Sequence, residues 1–110
     1  MSGIPNLNLL FEDEIGIAVC HNWNGKNIIH SEFYGEPSTD QMRAAKDISA
    51  MIDAGFKQKG VETIYTWAET DKQKRYNKFL GFKPTGESVN SSFSRADYPR
   101  EVFEYKKELI

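Results

Sequence analysis

The chain has 110 residues, and its 14 Lys plus Arg against 16 Asp plus Glu leave a formal charge of −2. That is the length of one small domain, residues 1–110, with no basic excess for nucleic acid or an anionic membrane surface. A single cysteine, Cys20, excludes an intrachain disulfide and a zinc site built mainly from thiolates.

No apolar run approaches the roughly 18 residues of a membrane span. The opening MSGIPNLNLL has neither a basic n-region nor a long apolar h-region, so no signal peptide is expected and the protein is expected to be cytoplasmic. Trp23, Trp67 and seven Phe exclude a disordered chain. A small α/β or α+β domain remains.

The first predicted strand is Leu7 to Glu12, with Leu7, Leu9 and Phe11 on one parity. Asp13 and Glu14 make a polar turn. Ile15, Ile17 and Val19 then alternate with Gly16, Ala18 and Cys20 up to Trp23, a period of two. Asn24-Gly25 follows, the dipeptide whose two positive φ angles suit a tight hairpin. Lys26 to Gly35 returns as the partner strand. A two-residue loop sets Trp23 opposite Lys26, Val19 opposite His30 and Ile17 opposite Glu32. One face then carries Ile15, Ile17, Val19, His21, Ile28, His30, Glu32 and Tyr34.

Ser38-Thr39-Asp40-Gln41 fits a capping box with Ser38 as N-cap. Ala45, Ile48, Ile52 and Phe56 recur at spacings of three and four, which predicts an amphipathic helix over Asp40 to Lys59. Lys57, Lys59 and Gly60 supply its cationic last turn and glycine stop. Val61 to Trp67 is a strong β segment. Strand, long helix and strand make a crossover, so the two strands are expected to be parallel. A short helix runs from about Asp71 to Leu80, with Gly81 at its C′ position. Two further strands follow, the last over Val102 to Lys106, with a hairpin through Asn90 to Tyr98.

Thr66 to Glu87 reads TWAETDKQKRYNKFLGFKPTGE, and its phrase Lys78-Phe79-Leu80-Gly81-Phe82-Lys83-Pro84-Thr85-Gly86-Glu87 resembles the C-terminal motif of the GNAT acyltransferase superfamily. The order of elements is similar to the core of that family across most of the chain. The resemblance implies an α/β (α+β) fold: a mixed, mostly antiparallel sheet with one long and one short helix. The family's first strand and first two helices, which contribute to the acceptor site, are expected to be missing. Short chains of this layout also resemble proteins encoded by tailed bacteriophages.

The resemblance implies an N-acyltransferase that uses acetyl-CoA and an unknown amine acceptor. Glu32, on the family's fourth strand, would be the general base, with partial burial raising its pKa. Tyr76 would be a displaced general acid. Phe33, Tyr34 and Gly35 would receive the pantetheine arm on their backbone, and Gln41, Arg43 and Thr70 would complete the cofactor side.

Four departures weigh against full activity. Ala44 and Lys46 stand where the pyrophosphate loop has glycines, which let backbone N–H groups wrap an anion. Thr70 stands at the family's Asn position and Asn77 at its Tyr position. Tyr76 is one residue early, roughly 100° around a helix. The competing reading is therefore a catalytically inactive GNAT-fold protein, such as a virion or host-interaction component; a small regulatory or toxin-like binding module is a weaker option. A homodimer is a third way to look at the shortened front end, with another chain completing the site.

His21 and His30 lie diagonally on the face of Glu32, but no third firm ligand accompanies them, so no metal is expected. Cys20 falls on the opposite face and reads as a buried, inert thiol.

Overall fold

A computed structural model describes residues 7–91 and 100–110. The elements run β1 (Asn8–Glu12), β2 (Gly16–Trp23), β3 (Lys26–Phe33), α1 (Thr39–Gln58), β4 (Thr63–Ala68), α2 (Asp71–Phe79), β5 (Lys83–Ser91) and β6 (Arg100–Glu108). The six strands form one sheet in the order β1-β2-β3-β4-β6-β5. Only β3 and β4 pair in parallel; every other neighbour is antiparallel. This is the expected architecture, element for element. The expected Asn90 to Tyr98 hairpin falls partly outside the described residues, but β5 and β6 do pair antiparallel.

The turn between β2 and β3 explains its register. Asn24 and Gly25 have φ of 51° and 76°, the left-handed pair that a type I′ turn needs. Trp23 consequently faces Lys26, Val19 faces His30 and Ile17 faces Glu32, as predicted. Strand β1 departs from simple alternation. A bulge between Leu9 and Phe11 shifts the register. Leu9 is left 60% exposed, while Leu10 and Phe11 are half-buried.

Both helices begin with complete capping boxes. Ser38 accepts from the Gln41 amide and Gln41 reaches back to the Ser38 amide; Thr70 and Gln73 repeat the pattern. Such a cap contributes about 1 kcal/mol. Gly81, at φ 98°, terminates α2.

One sheet face carries the core of Cys20, Ile29, Ile64, Ala68, Phe82 and Tyr105. Ile52 and Phe56 of α1 and Leu80 after α2 pack on it, so both helices cover the same side. Ile64 is 0% exposed, and burying a side chain of that size stabilises by about 2 kcal/mol. Burial pushes the Cys20 thiol pKa up, which keeps it protonated and inert as expected.

Helix α1 is fixed mainly near its C-terminal half. Lys107 Nζ meets Asp53 Oδ2 at 2.8 Å, and the Val61 amide donates to the Phe56 carbonyl at 3.0 Å. None of its 20 residues is fully buried. A space therefore remains between its facing stripe and the sheet.

Candidate active site

The space beneath α1 lies beside the end of a short ladder. β3 and β4 pair only at Ile28 with Tyr65 and Ile29 with Thr66, although β3 continues to Phe33 and β4 to Ala68. The Thr66 hydroxyl donates to the Ile29 carbonyl at 2.7 Å and pins the apex. Beside it, under α1, lies an open cleft of about 90 Å³. Ser31 and Phe33 border it on β3, Thr66 on β4, and Tyr76 and Asn77 on α2. Gln41, Ala44 and Ala45 border it on α1.

Tyr76 is placed at this cleft by its own neighbours. Its ring meets Phe33 edge-to-face, with centroids 5.6 Å apart and planes at 74°. The Ser31 side chain lies near its phenol. Burial raises the phenol pKa, and the Ser31 side chain opposes this in part. Asn77 also borders the cleft, and its side-chain amide lies 3.5 Å from the Trp67 carbonyl oxygen, to which it donates. The one-residue displacement therefore does not remove Tyr76 from the cleft, because consecutive residues Tyr76 and Asn77 both border it.

Glu32 borders the cleft at the end of β3, but it alternates with Ser31 and Phe33, so its side chain stands on the sheet face of His21 and His30, opposite the helices. It is exposed, not half-buried as the sequence suggested. The register is the expected one and puts it on the face of Ile28 and His30, but this end of the strand is open to solvent.

The remaining predicted residues divide. Phe33 and Gln41 border the cleft; the Gln41 side chain, however, is engaged in the α1 cap. Tyr34 turns away, donating to the Glu12 carboxylate, and that bond first of all raises its pKa. Gly35 is exposed. Arg43 lies 3.8 Å from Asp40 on the exposed side of α1. Thr70 caps α2. Tyr34, Gly35, Arg43 and Thr70 are not among the residues that border the cleft. Sequence reasoning missed Ser31 and Thr66. Both alternate with residues that drew notice, and only the packing of α2 against the strand ends makes them neighbours of Tyr76.

On the other face, His30 Nε2 and His21 Nδ1 are 2.9 Å apart. The two rings stack at 4.7 Å with planes 3° apart, and both meet Trp67 edge-on. Burial, then the neighbouring His21, lowers the His30 pKa to about 3. Burial lowers that of His21 as well. Among the described residues no group of three or more His, Cys, Asp or Glu is placed to hold a metal, and no described helix is long and apolar enough to cross a membrane.

In sequence, neither a protein-family model nor a curated protein matches the chain. In structure the matches are consistent. An acetyltransferase of the GNAT family from Bacillus anthracis superposes with a TM-score of 0.61 at 17% identity, over 86% of this chain and 58% of that one. A spermidine N-acetyltransferase chimera from Vibrio cholerae and the human enzyme gives 0.62 at 18% identity, over 86% and 59%. An aminoglycoside 6′-acetyltransferase of type Ii gives 0.61 at 14% identity, over 87% and 62%. The chain thus spans less than two thirds of the length of these structures. The six-stranded mixed sheet with its parted parallel pair, one long helix and one short helix is the GNAT acetyltransferase fold, shortened relative to those chains.

Proposed function

We propose that the protein is an acyl-CoA-dependent N-acyltransferase acting on an amine. The observation that carries this reading is the parting of β3 from β4 beside Tyr76. Where the ladder stops, the strand ends leave room for an extended arm to add along β3, at the level of Ser31 and Phe33. Backbone recognition of that kind tolerates varied side chains, so the altered motifs do not preclude it. The residues fit the arm of acetyl-CoA better than its phosphates. Asp40 places a carboxylate in the first turn of α1, where an anion would dock, and Arg43 offsets it only in part.

The chemistry falls to two side chains. Glu32 accepts the proton released by the amine as the new C–N bond forms. Tyr76 donates its phenol proton to the departing sulfur as the C–S bond breaks. A phenol held above its ordinary pKa remains protonated at neutral pH, and it can supply that proton at the moment the thiolate develops. Tyr76 is then restored from solvent through the open mouth.

One observation favours a second reading, a non-catalytic interaction protein of the same fold. Gln41, which matches the start of the family's phosphate loop, has its side chain engaged in the helix cap, and Ala44 and Lys46 replace the loop glycines.

Calorimetric titration with acetyl-CoA separates the two. The enzyme reading expects millimolar or tighter binding, and thermal stabilisation of about 2.7 kcal/mol at a hundredfold excess over Kd. A folded protein with no response would leave the interaction reading. Tyr76→Phe should then reduce turnover by about 10²-fold or more while leaving acetyl-CoA affinity nearly unchanged.

A further inference from the structure

We infer that the cleft under α1 takes the acyl chain of a fatty acyl thioester, a chain longer than acetyl. This rests on the reading that a CoA thioester binds where β3 and β4 part, and it adds the identity of the acyl group.

The first argument is extent. The cleft does not stop at Tyr76. It continues beneath α1 between Ala18 and Ile29 of the sheet and Ile48 and Ile52 of the helix. A second space of about 270 Å³ lies between α1 and β1, and Phe11, Ile48 and Ile52 border both. The two spaces therefore neighbour each other, with those three side chains standing between them. An acetyl group needs none of this room.

The second argument is chemical. The inner walls are mostly aliphatic and aromatic, and the polar groups that reach them are already engaged. Thr66 donates to the Ile29 carbonyl. Asp53 pairs with Lys107 at 2.8 Å, and Lys107 also reaches Ser49 at 3.5 Å. Asp13 accepts from the amides of Ile15 and Gly16 at 2.8 and 3.1 Å. A polar guest would lose its water and find few replacements, whereas a hydrocarbon loses nothing there.

The third argument is packing. Protein interiors are normally filled to crystal-like density, and side chains facing a void lose dispersion contacts. The stripe of Ala45, Ile48 and Ile52 faces the sheet across this space and remains half-buried. A flexible alkyl chain supplies the missing contacts. The polar pair Tyr76 and Ser31 stays at the mouth, where the thioester carbonyl would lie.

The experiment is a chain-length series by calorimetry on the full chain, using CoA, acetyl-CoA, butyryl-CoA and octanoyl-CoA, with sodium octanoate as the free-acid source. Affinity should rise by up to about fourfold per buried methylene, so octanoyl-CoA should bind at least about tenfold tighter than acetyl-CoA. Ile48→Trp, which fills the inner space, should remove most of that gain; Ala45→Phe is the second variant should the first fail to fold. Equal affinity across the series would overturn the inference while leaving the CoA reading intact. A gain that survives both substitutions would place the chain elsewhere and overturn it too. Absence of binding by all four CoA compounds would overturn the CoA reading itself, and with it the thioester form of this inference, even if octanoate bound.

Discussion

His30 Nε2 lies 2.9 Å from His21 Nδ1 with the two rings nearly coplanar in orientation and stacked. At that distance one nitrogen must donate and the other accept, so the pair is stable when neutral and holds a second proton poorly. The His30 pKa, lowered to about 3 by burial and then by His21, lies below the unfolded value of about 6.5. The unfolded chain therefore binds more protons between those limits. Stability is expected to be full above pH 6.5 and to fall as the pH drops toward 3, with a slope approaching about 1.4 kcal/mol per pH unit for one proton. Urea midpoints measured across that range check it, and His30→Gln should flatten the profile. An unchanged slope in that variant would assign the loss to other groups.

Glu104 is 4% exposed and carries two partners, Lys26 Nζ at 2.8 Å and Thr85 Oγ1 at 2.9 Å. The Glu104 bond is the main cause of the raised Lys26 pKa. Lys26→Met removes the only cation paired to that carboxylate among the described residues and should cost about 3 kcal/mol, because the desolvated charge remains. Adding Glu104→Gln should recover part of the loss. Denaturant unfolding of both variants checks the sign of the coupling.

Gly16 sits against the partner strand at the level of Glu32. A Cβ there would lie 2.5 Å from the Glu32 carbonyl oxygen, which is backbone and cannot swing aside. Gly16→Ala should destabilise by about 2 kcal/mol. It should also shift the end of β3, so turnover is expected to fall more than acetyl-CoA affinity. A variant with unaltered stability would mean that β2 and β3 separate there at little cost.

Thr66→Val deletes the hydroxyl that meets the Ile29 carbonyl at 2.7 Å. The buried carbonyl loses that donor, and the expected cost is about 1–2 kcal/mol. Thr66→Ser keeps the bond and should retain most of it. Thermal melts of the two variants against the parent protein decide the matter.

The local grammar of the chain was readable because it is written in neighbouring residues. Asn24-Gly25 determines a turn, the turn determines the β2–β3 register, and Ser38 and Thr70 each announce a helix. The order of elements followed, and with it the fold. The misread features depend on what lies far away in sequence. Parity placed Glu32 on the right face but could not tell how far cover extends along it. The β1 bulge reversed the sides expected for Leu9 and Leu10. Counting positions from Gly81 puts Tyr76 one residue early, and the contacts of Tyr76 with Phe33 and of Asn77 with the Trp67 carbonyl depend on how α2 packs. The cleft itself leaves no trace in the sequence, since the Ile48 and Ile52 stripe looks like that of any helix resting fully on its sheet.

Lys107 grips Asp53 and Phe56 sits on the core, while Ala44 and Ala45 look into open space and, among the described residues, only Lys46, over the Phe79 ring, ties that half to α2, so α1 is expected to act as a beam held most firmly at one end. Bending such a beam changes the cleft most at its looser tip, near Gln41, and least at the clamp. Amide hydrogen exchange should therefore slow progressively from Ala44 toward Phe56. A ligand seated beneath the tip would even out that gradient, so the protection profile of one helix would report occupancy without any assay of chemistry.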